Sequence, residues 1–383
     1  MYEFENFFGE KIMNDTKIKK HPFDSQFFIV VIALLAFGLI MVFSSSSEAA
    51  RNNSALGNDP YYFIKRQGLW AIISLGVMFF FSVFNYKNLK KLTTPILIIT
   101  VVLLLLTLFI GSNVNGGQRW INLGFISFQP SEIAKIALIL FMAKSLAANQ
   151  KRLGSFVHGF LPYLLILGVF AGLVILEKHL SATVVVVLIG CVMMVIAGAK
   201  IRHFLYIAPI GIAGAVIAVV GQSYRLSRVT AFLNPFADKL GSGWQIIQSL
   251  YAIGSGGIFG LGLGQSRQKF LYIPEPQNDF IFSITCEELG LIGAVLVLGL
   301  FVFLIYRGIR IAITAPDTFS SLVATGIMTM IAIEVIVNIA VVTSSMPVTG
   351  MPLPFFSYGG TTLLMNLSAM GIMLNISRYT KSP

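Results

Sequence analysis

Charge is scarce in this chain: Asp, Glu, Lys and Arg make up 11% of its 383 residues, against about 25% in soluble globular proteins. That shortage excludes an ordinary water-soluble domain. Cysteine is scarcer still. The only two, Cys191 and Cys286, lie inside apolar runs, so a disulfide framework is excluded and both read as small buried apolar residues. Four histidines occur, and no pair has the spacing of a zinc site. A Walker A loop and a dinucleotide fingerprint are both missing, so any transport would have to run without an integral ATPase.

What is abundant is apolar length. Hydrophobic residues reach 56% and the mean hydropathy is +0.82, with repeated apolar runs of about 20 residues, long enough to cross a bilayer as helices. A transmembrane barrel would alternate polar and apolar residues over about ten positions, whereas 95–111 is apolar on every side. The expected fold class is therefore all-α and polytopic. Ten spans are predicted, at 26–46, 68–85, 95–111, 132–147, 157–176, 181–199, 203–220, 279–306, 318–343 and 359–377. Between them, Lys11, Lys17, Lys19 and Lys20, then Lys87, Lys90 and Lys91, then Lys144, Lys151 and Arg152 fall on alternate loops. Lys200 and Arg202, Arg307 and Arg310, and Arg378 and Lys381 continue the alternation, which the positive-inside rule reads as cytoplasmic, with both termini on that side. The chain divides into a basic cytoplasmic segment at 1–25, a ten-helix membrane domain at 26–377 with a large extracytoplasmic loop at 221–278, and a cytoplasmic tail at 378–383. The first span is read as a retained helix, because its apolar core exceeds that of a signal peptide and no small-x-small site follows. The net charge of +11 is mostly a topology signal, and no nucleic-acid partner is needed to explain it.

With so few charges, those at span boundaries carry information, because an ionisable side chain in a bilayer needs a cavity or a partner. The most informative stretch is PEPQNDFIF at 274–282, where a polar loop opens a helix. Asp279 is the candidate catalytic carboxylate, with Glu275 four residues upstream. Asn278 and Asp279 also fit the ordinary role of helix N-cap, and capping does not exclude catalysis. At the mouth of the fourth span, Ser131 is a candidate N-cap and Glu132 and Lys135 share a helix face. They are either a snorkelling pair or a second charged wall facing Asp279. Glu287 and Glu288 do not stack beneath Asp279 at 100° per residue, and structural pairing, with Glu334 and Asn338 as candidate partners, is the expectation. The large loop holds Arg225, Arg228, Lys239, Arg267 and Lys269, with Asp238 the one acid at 221–270, and Arg119 stands in another outer loop. This set reads as a solvated surface or as a site for an anionic pyrophosphate. Arg267 and Lys269, nearest Asp279 in sequence, are the favoured substrate contacts, and Arg225 and Arg228 are left open.

Three long motifs carry a resemblance: NGGQRWINLGFISFQPSEIAK at 115–135, the run from Tyr224 through FLNPFAD, GWQIIQSLYAIGSGG and GLGQSRQKFLYIPEPQNDFIF to EELGLIG, and PVTGMPLPFFSYGGTT at 347–362. In this order they resemble the SEDS family of bacterial shape, elongation, division and sporulation proteins, whose members include RodA, FtsW and SpoVE. PEPQ at 274–277 and the E-x-HLS run at 177–181 are more like the FtsW and SpoVE branch than RodA. His179 stands where many members have an aspartate.

The resemblance implies a ten-helix fold in the bacterial cytoplasmic membrane that polymerises lipid II into glycan strands at the outer face. It also implies a class B penicillin-binding protein as crosslinking partner, beside other division, elongation or sporulation membrane proteins. The family's essential aspartate corresponds to Asp279, its cavity glutamate and lysine to Glu132 and Lys135, and the arginine of its QRW motif to Arg119. Chemically, a carboxylate such as Asp279 can remove the attacking hydroxyl's proton or hold a divalent cation, Mg or Mn, against the leaving pyrophosphate. The residues leave both open. A lipid II flippase and a non-catalytic divisome scaffold are the competing readings, although no inverted repeat of broken helices is seen.

Overall fold

The computed structural model describes residues 21–114, 117–122, 124, 127–238, 241, 243–270 and 273–380. Lys11, Lys17, Lys19, Lys20, Lys239 and Lys381, and with them most of the 1–25 segment and the end of the tail, lie outside the described residues.

Apolar runs become helices because a bilayer offers backbone groups no water, so each span must satisfy its own hydrogen bonds. Among the described residues, ten long helices coincide with the ten predicted spans. They are α1 (Ser25–Arg51), α2 (Tyr62–Val83), α3 (Tyr86–Ile110), α4 (Pro130–Asn149), α5 (Leu161–Leu176), α6 (Leu180–Ile196) and α7 (Ile201–Val220), and, after an intervening segment, Ile281–Thr314, Thr318–Val342 and Gly360–Ser377. Seven qualify as membrane spans by length and composition alone, α5 together with the π-turn before it. The 17-residue α6 is shorter. α4 and Gly360–Ser377 are mostly buried among other helices, where small and polar side chains serve packing better than bulk apolarity does. The protein is an all-α, polytopic integral membrane protein.

The segment at 221–278 is not one open loop. It contains two short helices, α8 (Ser223–Leu233) and α9 (Trp244–Ser255), so the three last long helices become α10, α11 and α12. After α9 the chain folds back onto α10: the amides of Leu261 and Gly262 donate to the carbonyls of Glu287 and Glu288, both at 2.9 Å, and Leu291 donates to Gly257 at 2.9 Å. This pairing is possible because Gly290, at φ 66° and ψ −164°, breaks the helix and frees backbone groups there. A side chain at Gly290 would strike the backbone of Ile258 and Gly260.

One end of the bundle is tied by polar contacts. Asp24 caps α1 through the Phe27 amide at 3.0 Å and pairs with Arg307, and the Tyr86 hydroxyl donates to Asp317 at 2.7 Å. A capping box of Asp317 and Ser320 starts α11. At the opposite end lie a small antiparallel sheet, β1 (Ser112–Val114), β2 (Gly117–Asn122) and β3 (Ser127–Phe128), and the segment 347–358.

Candidate active site

Asp279 sits in the turn before α10, half-buried. It does not cap the helix: the N-cap position is Phe280, without a side-chain cap bond, which corrects the capping expectation for Asn278 and Asp279. Asn278 instead donates to Glu275 at 2.8 Å. Among the described residues no hydrogen bond or ion pair engages the Asp279 carboxylate. Its main chain, by contrast, is clamped. The Asn338 amide on α11 donates to the carbonyls of Asp279 at 2.9 Å and Met351 at 2.8 Å, and the Tyr358 amide donates to Gln277 at 2.8 Å. Gly350, at φ 74°, faces the acid so closely that an added Cβ would lie 3.4 Å from Asp279 Oδ2. Burial pushes the carboxyl up to about 6; Arg228 opposes the rise, Glu275 adds to it and Arg119 opposes it.

Asp279 lines a cavity of about 490 Å³ with Arg66, Trp70, Trp120, Gln129, Gly350 and Tyr358. Trp120, Gln129, Gly350 and Pro352 also wall a second cavity of about 120 Å³, which contains Glu132, Lys135, Glu334, Arg119 and His179. Ser131 is no N-cap, because Gln129 holds that position; its hydroxyl lies 3.3 Å from His179 Nδ1, which is also 3.1 Å from Gln129 Nε2. Glu132 and Lys135 do pair, at 2.9 Å. Lys135 also bonds Glu334 on α11, so the predicted pair is a triad, with one Glu132 oxygen buried and unpartnered among the described residues.

A third cavity of about 200 Å³ shares Arg119, His179, Val185 and Met351 with the second and adds Lys178, Arg225 and Arg228. Arg119 donates to the Lys178 carbonyl at 2.6 Å and Arg228 to the Val348 carbonyl at 3.1 Å. Arg225 is committed to Tyr224 at 2.9 Å and to the Ala218 carbonyl at 2.7 Å. Beside Arg119, Glu177 is buried; burial pushes it up to about 8, against the pull of Arg119 and of the Thr107 hydroxyl. Burial first, then Arg119 and Lys135, hold the His179 ring down to about 3, so it is neutral near pH 7.

The structure does not bring Arg267 and Lys269 to Asp279. Lys269 is buried, its ammonium 2.7 Å from the Gly264 carbonyl and 3.3 Å from Glu288. Arg267 is exposed, and its amide donates to Glu287 at 2.9 Å. Glu287 and Glu288 are structural as expected, but their partners are this folded-back loop and Ser44, whose hydroxyl reaches Glu288 at 2.6 Å, and not Glu334 or Asn338. Trp120 and Gly350 escaped sequence reasoning, and Glu334 and Asn338 were singled out there but assigned to Glu287 and Glu288 and not to Lys135 and Asp279. For Trp120 the signal was its place beside Arg119 in QRW; for the others the contacts are too distant in sequence to read.

Three comparisons agree with this architecture. The family model described as "Cell cycle protein", FtsW/RodA/SpoVE, matches residues 24–382. The chain is 48% identical over 367 residues to "Stage V sporulation protein E" of Bacillus subtilis (strain 168), covering 95% of this chain and 99% of that protein. It is 42% identical over 362 residues to a "Probable peptidoglycan glycosyltransferase FtsW" of Trichlorobacter lovleyi, covering 94% of each. The fold superposes with a TM-score of 0.76, at 30% identity and covering 93% of this chain and 98% of the other, on a chain from "Structural coordination of polymerization and crosslinking by a peptidoglycan synthase complex". The rod shape determining protein RodA of Thermus thermophilus matches with a TM-score of 0.70 at 26% identity, covering 94% of this chain and 98% of that one.

Proposed function

This chain belongs to the FtsW/RodA/SpoVE family of cell cycle proteins, and on that premise we propose a function and a site for it. It is a peptidoglycan glycosyltransferase that polymerises lipid II into glycan strands, with Asp279 as the reacting carboxylate at the outer face of the bacterial cytoplasmic membrane and both termini in the cytoplasm. The observation that supports the site is the Asp279 carboxylate itself, free of protein partners among the described residues while its backbone is clamped, in a cavity that shares Trp120, Gln129, Gly350 and Pro352 with one walled by Arg119, Glu132 and Lys135.

In the reaction a sugar hydroxyl of one lipid-linked unit attacks the anomeric carbon of another. The new carbon–oxygen bond forms as the bond to undecaprenyl pyrophosphate breaks, and the pyrophosphate leaves with the electron pair. Asp279, ionised above about pH 6, takes the hydroxyl proton as general base, a role worth about 10²- to 10⁴-fold. Pyrophosphate leaves without protonation, so no second carboxylic acid is needed, unlike in a glycosidase pair. Arg119 and Arg228, which share a cavity wall, supply the positive field for the departing charge.

No group of three His, Cys, Asp or Glu donors gathers among the described residues. One carboxylate together with substrate phosphates is nevertheless an ordinary Mg or Mn site, so Asp279 is the residue that would hold such a cation, which when bound would neutralise pyrophosphate. The crosslinking partner is a class B penicillin-binding protein, a reading supported by the likeness to a chain of a complex that couples polymerisation to crosslinking. The test is to incubate purified protein and partner with lipid II in detergent and assay glycan strands. Strands are expected from the parent, and their absence would return the flippase and scaffold readings.

A further inference from the structure

A fourth cavity, of about 580 Å³, adjoins Asp279's cavity, and the two share Asn278 and Tyr358. Its wall is formed by the end of α1, the turn at 52–56, the start of α2 and the 275–278 segment. The chemistry of that wall is one of amides: Asn52, Asn53, Gln277 and Asn278, with Ser54 beside them. Phe63 and Tyr358 add an aromatic corner, their rings 5.0 Å apart and edge to face. Gln277 is only 4% exposed, and its Oε1, like Asn278 Oδ1, is buried without a hydrogen-bond partner among the described residues.

The contrast with the cation-lined cavity, which adjoins not Asp279's cavity but the one holding Glu132, Lys135 and Glu334, is one of charge. There Arg119, Lys178, Arg225 and Arg228 line the wall with no acid among them. Here the one charged lining residue is Glu275, which would repel a phosphate. An amide presents donors and an acceptor together, which suits hydroxyl and acetamido groups that do the same, and an apolar pocket with a few convergent polar groups is the usual form of a binding site. The four cavities run in series through shared lining residues, with Asp279 between the amide wall and the cationic wall.

From this we infer that the amide-lined cavity is a subsite for the neutral sugar units of the glycan strand, while the cationic cavity faces the pyrophosphate. The inference rests on the glycosyltransferase reading. It is tested with full-length protein and its partner on labelled lipid II, by comparing strand lengths on gels at equal lipid II consumption. Two variants are used: Ser54→Trp, which fills the cavity, and Asn52→Ala, which removes one amide with little risk to folding. Both are expected to shift products to shorter strands, several-fold for the tryptophan. Parental strands alongside unchanged lengths in both variants would overturn the subsite alone. No strands from the parent would overturn the glycosyltransferase reading, and the subsite with it.

Discussion

Lys135 stands between Glu132 and Glu334 across α4 and α11, and Lys269 stands beside Glu288, next to Glu287, where the folded-back loop meets α10. Each cluster is two glutamates and a lysine, and all six residues are buried. They differ in what remains unsatisfied. Around Lys269, Glu288 receives Ser44 and the Ser266 amide, and Glu287 receives the Ser266 hydroxyl and the amides of Arg267 and Gln268. Around Lys135, Glu132 keeps a buried oxygen without a partner among the described residues, at a cost of about 1–3 kcal/mol. The Lys135 cluster walls a cavity adjoining that of Asp279, and the Lys269 cluster holds a loop against a helix break. Composition alone does not separate architecture from chemistry; satisfaction of the hydrogen bonds does.

The largest effect is expected at Asp279, the acid outside both clusters. Asp279→Asn removes charge and basicity where no hydrogen bond from the described residues depends on them, so strand formation should fall by about 10²-fold or more with an unchanged thermal melt. Near-parental polymerisation would remove the residue from the chemistry.

Next come the lysines. Lys135→Met strands two buried carboxylates and should cost about 3–5 kcal/mol of stability. Lys269→Met should cost less, because Glu288 keeps Ser44 and the Ser266 amide. Melting both variants in detergent would break the comparison if their order were reversed.

The pH dependence sharpens it further. Because the folded Asp279 carboxyl sits near 6, the ionised form is lost as pH falls through that value. The initial polymerisation rate should be level above it and drop about tenfold per pH unit below it. A flat profile down to pH 5 would detach the rate from this group.

The smallest effect is expected at Arg267, exposed and away from Asp279's cavity. Arg267→Ala should alter stability by no more than about 0.5 kcal/mol and leave the lipid II dependence of the rate unchanged. A large rise in KM would return it to the substrate site.

Much of the fold was legible because a bilayer-spanning helix announces itself by apolar length, and all ten helices lie where the runs predict. Asp279, Glu132 and Lys135 were legible because charge at a span boundary is rare. What was not legible depends on contacts far apart in sequence. Glu334 lies 199 residues from Lys135, and the Asn338 clamp on Asp279 spans 59. Lys269 was misread for the same reason: nearness to Asp279 in sequence stood in for nearness in space, whereas the break at Gly290 draws the loop onto Glu287 and Glu288 instead.

The most direct test of the difference between the clusters is lipid II turnover per folded molecule in two charge-balanced double variants, Lys135→Met with Glu334→Gln and Lys269→Met with Glu288→Gln. Each removes one cation and one carboxylate and so keeps the net charge of its cluster, and counting turnover per folded molecule allows for the stability lost where Glu132 loses Lys135. The account predicts that turnover falls at least about tenfold in the first, as expected when a group acting on the transition state is lost, and stays within about twofold of the parent in the second. Equal losses in the two, or a loss confined to the Lys269 variant, would contradict it.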